Sequence, residues 1–141
     1  MIQGIRPIRQ AALVAAGVLA LTAAPAVTAQ DAKPQKTHGV SVGSVSTLPL
    51  AAQIPALDGY AMRLRTILLE PGAVVGHHSH AKRPVVAYLI SGEYTEHRDG
   101  QGTIVHKPGE QWVEGADVAH WSENRGTETA VLINVDVLAA R

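Results

Sequence analysis

Gly72-Ala73-Val74-Val75-Gly76-His77-His78-Ser79-His80 carries the most informative pattern in the chain. It leaves a turn, runs through two valines and closes on an H-x-H. β-Branched residues favour extended backbone, and in a strand residues two apart share a face. His78 and His80 therefore present their imidazoles side by side, while His77 points the other way. Two imidazoles so placed suit a metal ion, although the same pattern alone also occurs as a surface pair.

Outward from this stretch the chain keeps the same rhythm. Met62-Arg63-Leu64-Arg65 alternates apolar and charged residues, a half-buried strand that continues to Leu69 and stops at a turn, Glu70-Pro71-Gly72. Val45 to Ile54 is a weaker strand, with Pro49 marking an edge. Beyond His80, short β-rich runs cover Val85–Ile90, Glu93–Arg98, Thr103–His106, Gln111–Val113, Val118–Glu123 and Thr129–Leu138. Between them stand Ser91-Gly92, Asp99-Gly100-Gln101-Gly102 and Lys107-Pro108-Gly109. Downstream of the N-terminal segment no long stretch shows a helical period. Thirteen Gly and eight Pro in 141 residues supply the turns, and with Phe absent the core is expected to be Val, Leu, Ile and Ala. The pattern predicts an all-β, closed or double-sheet antiparallel domain.

The N-terminus reads as a signal peptide over residues 1–29. Arg6 and Arg9 form a positive start, Ala11 to Ala26 is apolar, and Val27-Thr28-Ala29 fits a small-residue cleavage site. The apolar run is short for a membrane span, which takes about 20 residues; an uncleaved anchor is the alternative. Without a twin Arg the general export route is expected, with a periplasmic or secreted product. Residues 30–43 read as a flexible arm carrying an idle His38, and 44–141 as the folded domain. The chain has 12 basic and 12 acidic residues, and removing Arg6 and Arg9 leaves the domain mildly acidic. That argues against nucleic acid as a partner and against stable membrane anchoring after cleavage. Cys is absent, which excludes disulfides, thiolate metal sites and Cys nucleophiles.

A second cluster, Gly109-Glu-Gln-Trp-Val-Glu-Gly115-Ala-Asp117-Val-Ala-His120-Trp-Ser-Glu-Asn124, sets a lone His after a turn. Together the two stretches resemble the cupin family. Gly72, His78, His80 and Gly92 match its first motif; Gly109, His120 and Asn124 match its second, with Gly115 and Asp117 where Pro and Gly are usual. The resemblance spans about Leu48 to Val137. It implies a double-stranded β-helix, or jelly-roll barrel, in which His78, His80 and His120 meet inside and bind a divalent transition metal: Fe, Mn, Zn, Cu or Ni.

The pattern breaks at one place. The family's usual Glu ligand falls at Val85, and Lys82, Arg83 and Pro84 offer no carboxylate. Either the centre is a plain three-His site or a carboxylate arrives from elsewhere. If Ser91-Gly92 is a two-residue hairpin turn, Ala87 pairs with Glu96 and Val85 with Arg98. Glu96 is then the candidate fourth ligand and Arg98 a candidate substrate clamp. A slip of one residue would bring in His97 instead. Tyr88 and Ser122 are further candidates for the cavity. His106 is expected to face solvent, and Asn124 to cap a turn. A neutral three-His shell favours an anionic, chelating small-molecule ligand. Three readings of function follow: a metal-dependent dioxygenase of a small polar substrate, which the resemblance permits; a non-catalytic module for a small molecule or metal; and a protein stapled by its metal. A homodimer is expected by analogy with other small cupins.

Overall fold

Strands form where the alternation is strongest and break where Gly and Pro cluster. The computed structural model describes residues 33–140. In order these form β1 (His38–Pro49), a 3-10 turn (Pro55–Leu57), β2 (Tyr60–Ser79), β3 (Val85–Ser91), β4 (Tyr94–Arg98), β5 (Gly102–His106), β6 (Gln111–Glu114), β7 (Ala119–Glu123) and β8 (Ala130–Ala139). The expected signal peptide and its cleavage site lie outside the described residues. Among those residues no helix is long and apolar enough to cross a membrane.

Every pairing is antiparallel, in the order β5-β4-β7-β2-β8-β3-β6, with β1 added to β2. The long β2 belongs to two ladders. Its first half, to Leu69, lies between β1 and β8, and its second half, from Val74, pairs with β7. Glu70-Pro71-Gly72, read from sequence as a stop, is carried inside the strand where it passes from one ladder to the next. Gly72 sits there at φ 78°, a conformation open to Gly at little cost. The outcome is the expected all-β jelly roll: β1-β2-β8-β3-β6 as one sheet, β2-β7-β4-β5 as the other. Leu69, Ala73, Val85, Ala87, Leu89, Tyr94, Trp112, Ala130 and Leu132 pack between them. Tyr94 and Trp112 thus supply core volume beyond the aliphatic residues.

Two expectations need correction. The arm over 30–43 is not free along its described part. From His38 it is laddered to β2, and before that Thr37 Oγ1 accepts the Gly76 N–H and Pro34 O accepts the His77 N–H. Unpaired N–H and C=O groups along the edge of β2 supply the partners. Ser91-Gly92 is also not a hairpin turn: β3 pairs with β6 and β8, and β4 with β5 and β7. Gly92, at φ 78°, carries the chain from one sheet to the other. A Cβ there would stand 2.6 Å from Ala130 Cα, so close approach excludes any larger residue.

The ladder registers sort the interior by polarity. Across β6-β3-β8-β2, one inward row is Glu114, Val85, Asp136 and Arg63, and the next is Trp112, Ala87, Asn134 and Arg65. Further along stand Leu89, Leu132 and Ile67. The interior is polar at one end and apolar at the other.

Candidate metal centre

His78 on β2 is the direct cross-strand partner of His120 on β7, and His80 follows two residues on, just past the end of β2. The three Nε2 atoms converge. His80 Nε2 lies 3.1 Å from His78 Nε2 and 3.0 Å from His120 Nε2, and the third edge of the triangle is 3.2 Å. The expected set of His ligands is therefore brought to one point, and it could hold a metal ion.

The opposite ring nitrogens show why the rings stand this way. His78 Nδ1 is 2.8 Å from Gly76 O and His80 Nδ1 is 3.0 Å from Arg83 O. A carbonyl only accepts, so both Nδ1 atoms carry the proton and both Nε2 atoms present lone pairs. His120 Nδ1 lies 2.6 Å from Glu96 Oε1, a charge contact off the line of a well-formed hydrogen bond. Burial holds His78 and His80 down to about 4, so both are neutral near pH 7. Three ring nitrogens held this close, with those of His78 and His80 presenting lone pairs, form a donor cluster that a cation would join. A metal about 2.0–2.1 Å from each nitrogen fits above a triangle of this size. The donor set therefore fits a divalent transition metal.

The carboxylates are arranged differently from the sequence expectation. Glu96 is inside and fully buried, but its inward direction comes from pairing with Ser122 of β7 and Ile104 of β5, not with Ala87. It stands behind His120, on the Nδ1 side. Its remaining contacts are Arg98 Nε at 2.7 Å and His106 Nε2 at 3.1 Å. Burial opposes its ionisation, yet His106, His120 and Arg98 hold its carboxyl far below the ordinary range. Glu96 thus orients a ligand and is not placed as the fourth one. Arg98 is likewise spent, on Glu96 and on Val113 O at 3.0 Å, and is not a free clamp.

The carboxylate on the lone-pair side is Glu114, which the sequence reading passed over. Its Oε2 lies 3.1 Å from His80 Nε2, while Trp112 Nε1 donates to Oε1 at 2.9 Å. Glu114 is the cross-strand partner of Val85, the position where the usual Glu is missing. One signal was available: Trp112 and Glu114 alternate onto one face of the second-motif strand, which a jelly roll lays beside the first.

The other candidates divide. Tyr88 is 43% exposed, its side chain on the outer face of β3, so it does not reach the cavity. Ser122 is buried in the interior with Oγ unpartnered, but it does not line the cavity. His106 is buried, not solvent-facing, because it stacks on Trp112 with centroids 3.8 Å apart as well as meeting Glu96. His77 points outward to Asp99, as its alternation requires. Asn124 ties the turn after β7, donating to Leu69 O and Glu128 O and accepting from Gly126 N. A cavity of about 160 Å³ opens beside the centre, lined by His78, His120, Glu114, Tyr94, Arg65 and Arg83 at its polar part and by Ile67, Leu69 and Leu132 among its apolar residues.

A jelly roll with inward-facing imidazoles on the two motif strands defines the cupin class. The family described as Cupin domain matches residues 65–136, and the chain belongs to it. Among solved structures it is similar to the oxalate decarboxylase of Bacillus subtilis, whose Mn(II) centres have been studied. The identity is 21% and the TM-score 0.53, over 79% of this chain but only 29% of that one. It is also similar to KdgF from Halomonas sp., at 16% identity and TM-score 0.54 over 80% of this chain and 93% of that one. A predicted oxalate decarboxylase from Thermotoga maritima matches at 23% identity and TM-score 0.50, over 77% and 95%. These identities speak for the fold. No curated protein matches the chain.

Proposed function

We propose that the protein is an exported metal-dependent enzyme, an oxygenase of a small polar substrate, built on His78, His80 and His120. The observation that carries this reading is the Nε2 triangle of 3.0–3.2 Å edges, two of whose rings are hydrogen-bonded from behind to Gly76 O and Arg83 O while the third has the Glu96 carboxylate beside its Nδ1. Ligands held in place from behind cost little reorganisation when a cation binds. His78, His80 and His120 would hold the metal, which would supply Lewis acidity toward a small polar substrate and the redox chemistry an oxygenase needs.

The chain's own groups do the rest. Glu114, with Oε2 beside His80, would help hold the metal or take up a proton from substrate; Trp112 keeps its Oε1 fixed. Ile67, Leu69 and Leu132 exclude bulk water from the cavity. The solved relatives support metal chemistry in this fold: one is described through its Mn(II) centres, another is an oxalate oxidase in complex with glycolate, at 19% identity and TM-score 0.51. The test is oxygen uptake by the native, metal-analysed protein with small carboxylates, diketones and thiols. Turnover that disappears in His120→Ala supports the enzyme. Tight metal with no turnover across that panel would leave a binding module. Mass spectrometry of the exported product is expected to begin at Gln30.

A further inference from the structure

Deepening that reading, and resting on it for the metal end of the cavity, we propose that Arg65 and Arg83 form a carboxylate-holding subsite, so that the ligand is a small organic acid reaching from these guanidiniums to the three-His centre. Both arginines line the cavity that His78, His120 and Glu114 also line. Three guanidiniums gather around one buried carboxylate here. Arg63 takes Asp136 with two nitrogens, Nε at 3.0 Å and Nη2 at 2.7 Å. Arg65 and Arg83 each spend a single nitrogen on it, both at 3.1 Å and both on Oδ2. One negative charge thus faces three positive ones, and the excess sits on the two residues that face the cavity.

Arg65 makes the case stronger. Its side chain is 16% exposed, and its Nε is buried without a partner. Asn134, opposite it across β2 and β8, also leaves Oδ1 unpaired. Buried charged donors left unspent are costly, and a planar carboxylate matches the guanidinium fork in two-point geometry. A divalent cation held by the three histidines would add to the same positive field. Volume limits the ligand: a cavity of about 150 Å³ holds a benzene-sized molecule, so the one here, about 160 Å³, takes roughly six non-hydrogen atoms. The apolar floor of Ile67, Leu69 and Leu132 suits a short carbon stem.

The test is calorimetric titration of acetate, glycolate, oxalate and succinate, with acetamide, glycolamide and sulfate as controls, into Mn(II)-loaded and metal-free protein. Variants are Arg83→Gln and Arg65→Gln, with Arg83→Lys as the variant that keeps charge but loses the fork. Arg83 stands between β2 and β3, and its backbone carbonyl, which holds His80, is retained in every substitution. At least one carboxylate is expected to bind the metal-loaded protein and its amide to bind far more weakly. Arg83→Gln should weaken the acid roughly tenfold or more without weakening Mn(II), since it removes a positive charge beside the histidines, and Arg83→Lys should be intermediate. Equal binding of acid and amide, equal binding by wild type and both Gln variants, sulfate preferred over every carboxylate, or no carboxylate bound at millimolar concentration would each overturn the subsite. Failure of the metal centre looks different: Mn(II) would not bind, while carboxylates would still bind the metal-free protein in an arginine-dependent way.

Discussion

Glu114 and Glu96 are both buried carboxylates within reach of the histidines, and their surroundings give them different work. Glu114 offers a free oxygen on the lone-pair side of His80; Glu96 is consumed behind His120 by Arg98 and His106. Glu114→Gln is therefore expected to lower metal affinity by roughly tenfold or more while the fold survives, as read by competition with a chelating dye. Glu96→Gln should lower affinity by about 10- to 100-fold through loss of the orienting charge. It should also cost stability, on the order of 3 kcal/mol, because Arg98 and His106 lose the anion they share; urea denaturation measures this. Unchanged metal affinity in both variants would sink this division of roles. His78, His80 and His120 were legible in sequence because their spacing is local or motif-bound. Glu114 was not, because its closeness to Val85 comes from β3 pairing with β6, a contact across two intervening strands. Arg98 misled for the same reason: the inward side was right, but its partners are set by β7, whose place beside β4 follows from the crossing at Gly92.

At the level of elements, the six strands β3 to β8 could be read from alternation and turn residues and stand close to where they were placed, whereas β1 starts at His38 and not Val45, and β2 joins two runs read as separate strands. What could not be read was which strand lies beside which. A Gly after a strand can close a hairpin or send the chain to the opposite sheet, and Ser91-Gly92 does the second because Ala130 leaves no room for a side chain. Gly92→Ala is expected to be strongly destabilising, by roughly 2 kcal/mol or more, since it combines a positive φ with a backbone clash. Gly100→Ala, with the same sign of φ but open space around it, should cost less. Comparable melting temperatures for the two variants would show that the crossing is looser than drawn. The bend inside β2 belongs to the same lesson: Pro71-Gly72 reads as a stop, yet the neighbouring ladders keep the strand going through it.

For the whole molecule, the buried histidines predict a pH dependence. His78 and His80 titrate at about 4 when folded, against 6.5 for an ordinary His. As pH falls below 6.5 the unfolded chain takes up protons that the folded one refuses until about 4, so the metal-free protein loses stability across that window. Glu96, held below its ordinary 4.5, extends the loss further into acid. A denaturation midpoint that is flat from pH 7 to 4 would contradict this. The outer face of β3 and β6 exposes Val86, Tyr88, Ile90 and Val113, the last at 65%. The homodimer expected from sequence would cover this face, and Val113→Glu should then shift sedimentation from dimer to monomer; a wild-type monomer at all concentrations would remove that expectation. Whether three imidazoles share one cation is decided by metal analysis of the natively purified protein beside His78→Ala and His120→Ala. The expected result is roughly one transition-metal ion per chain in the wild type and its loss from both variants. A wild type without stoichiometric metal, or variants that keep it, would rule out a shared three-His centre.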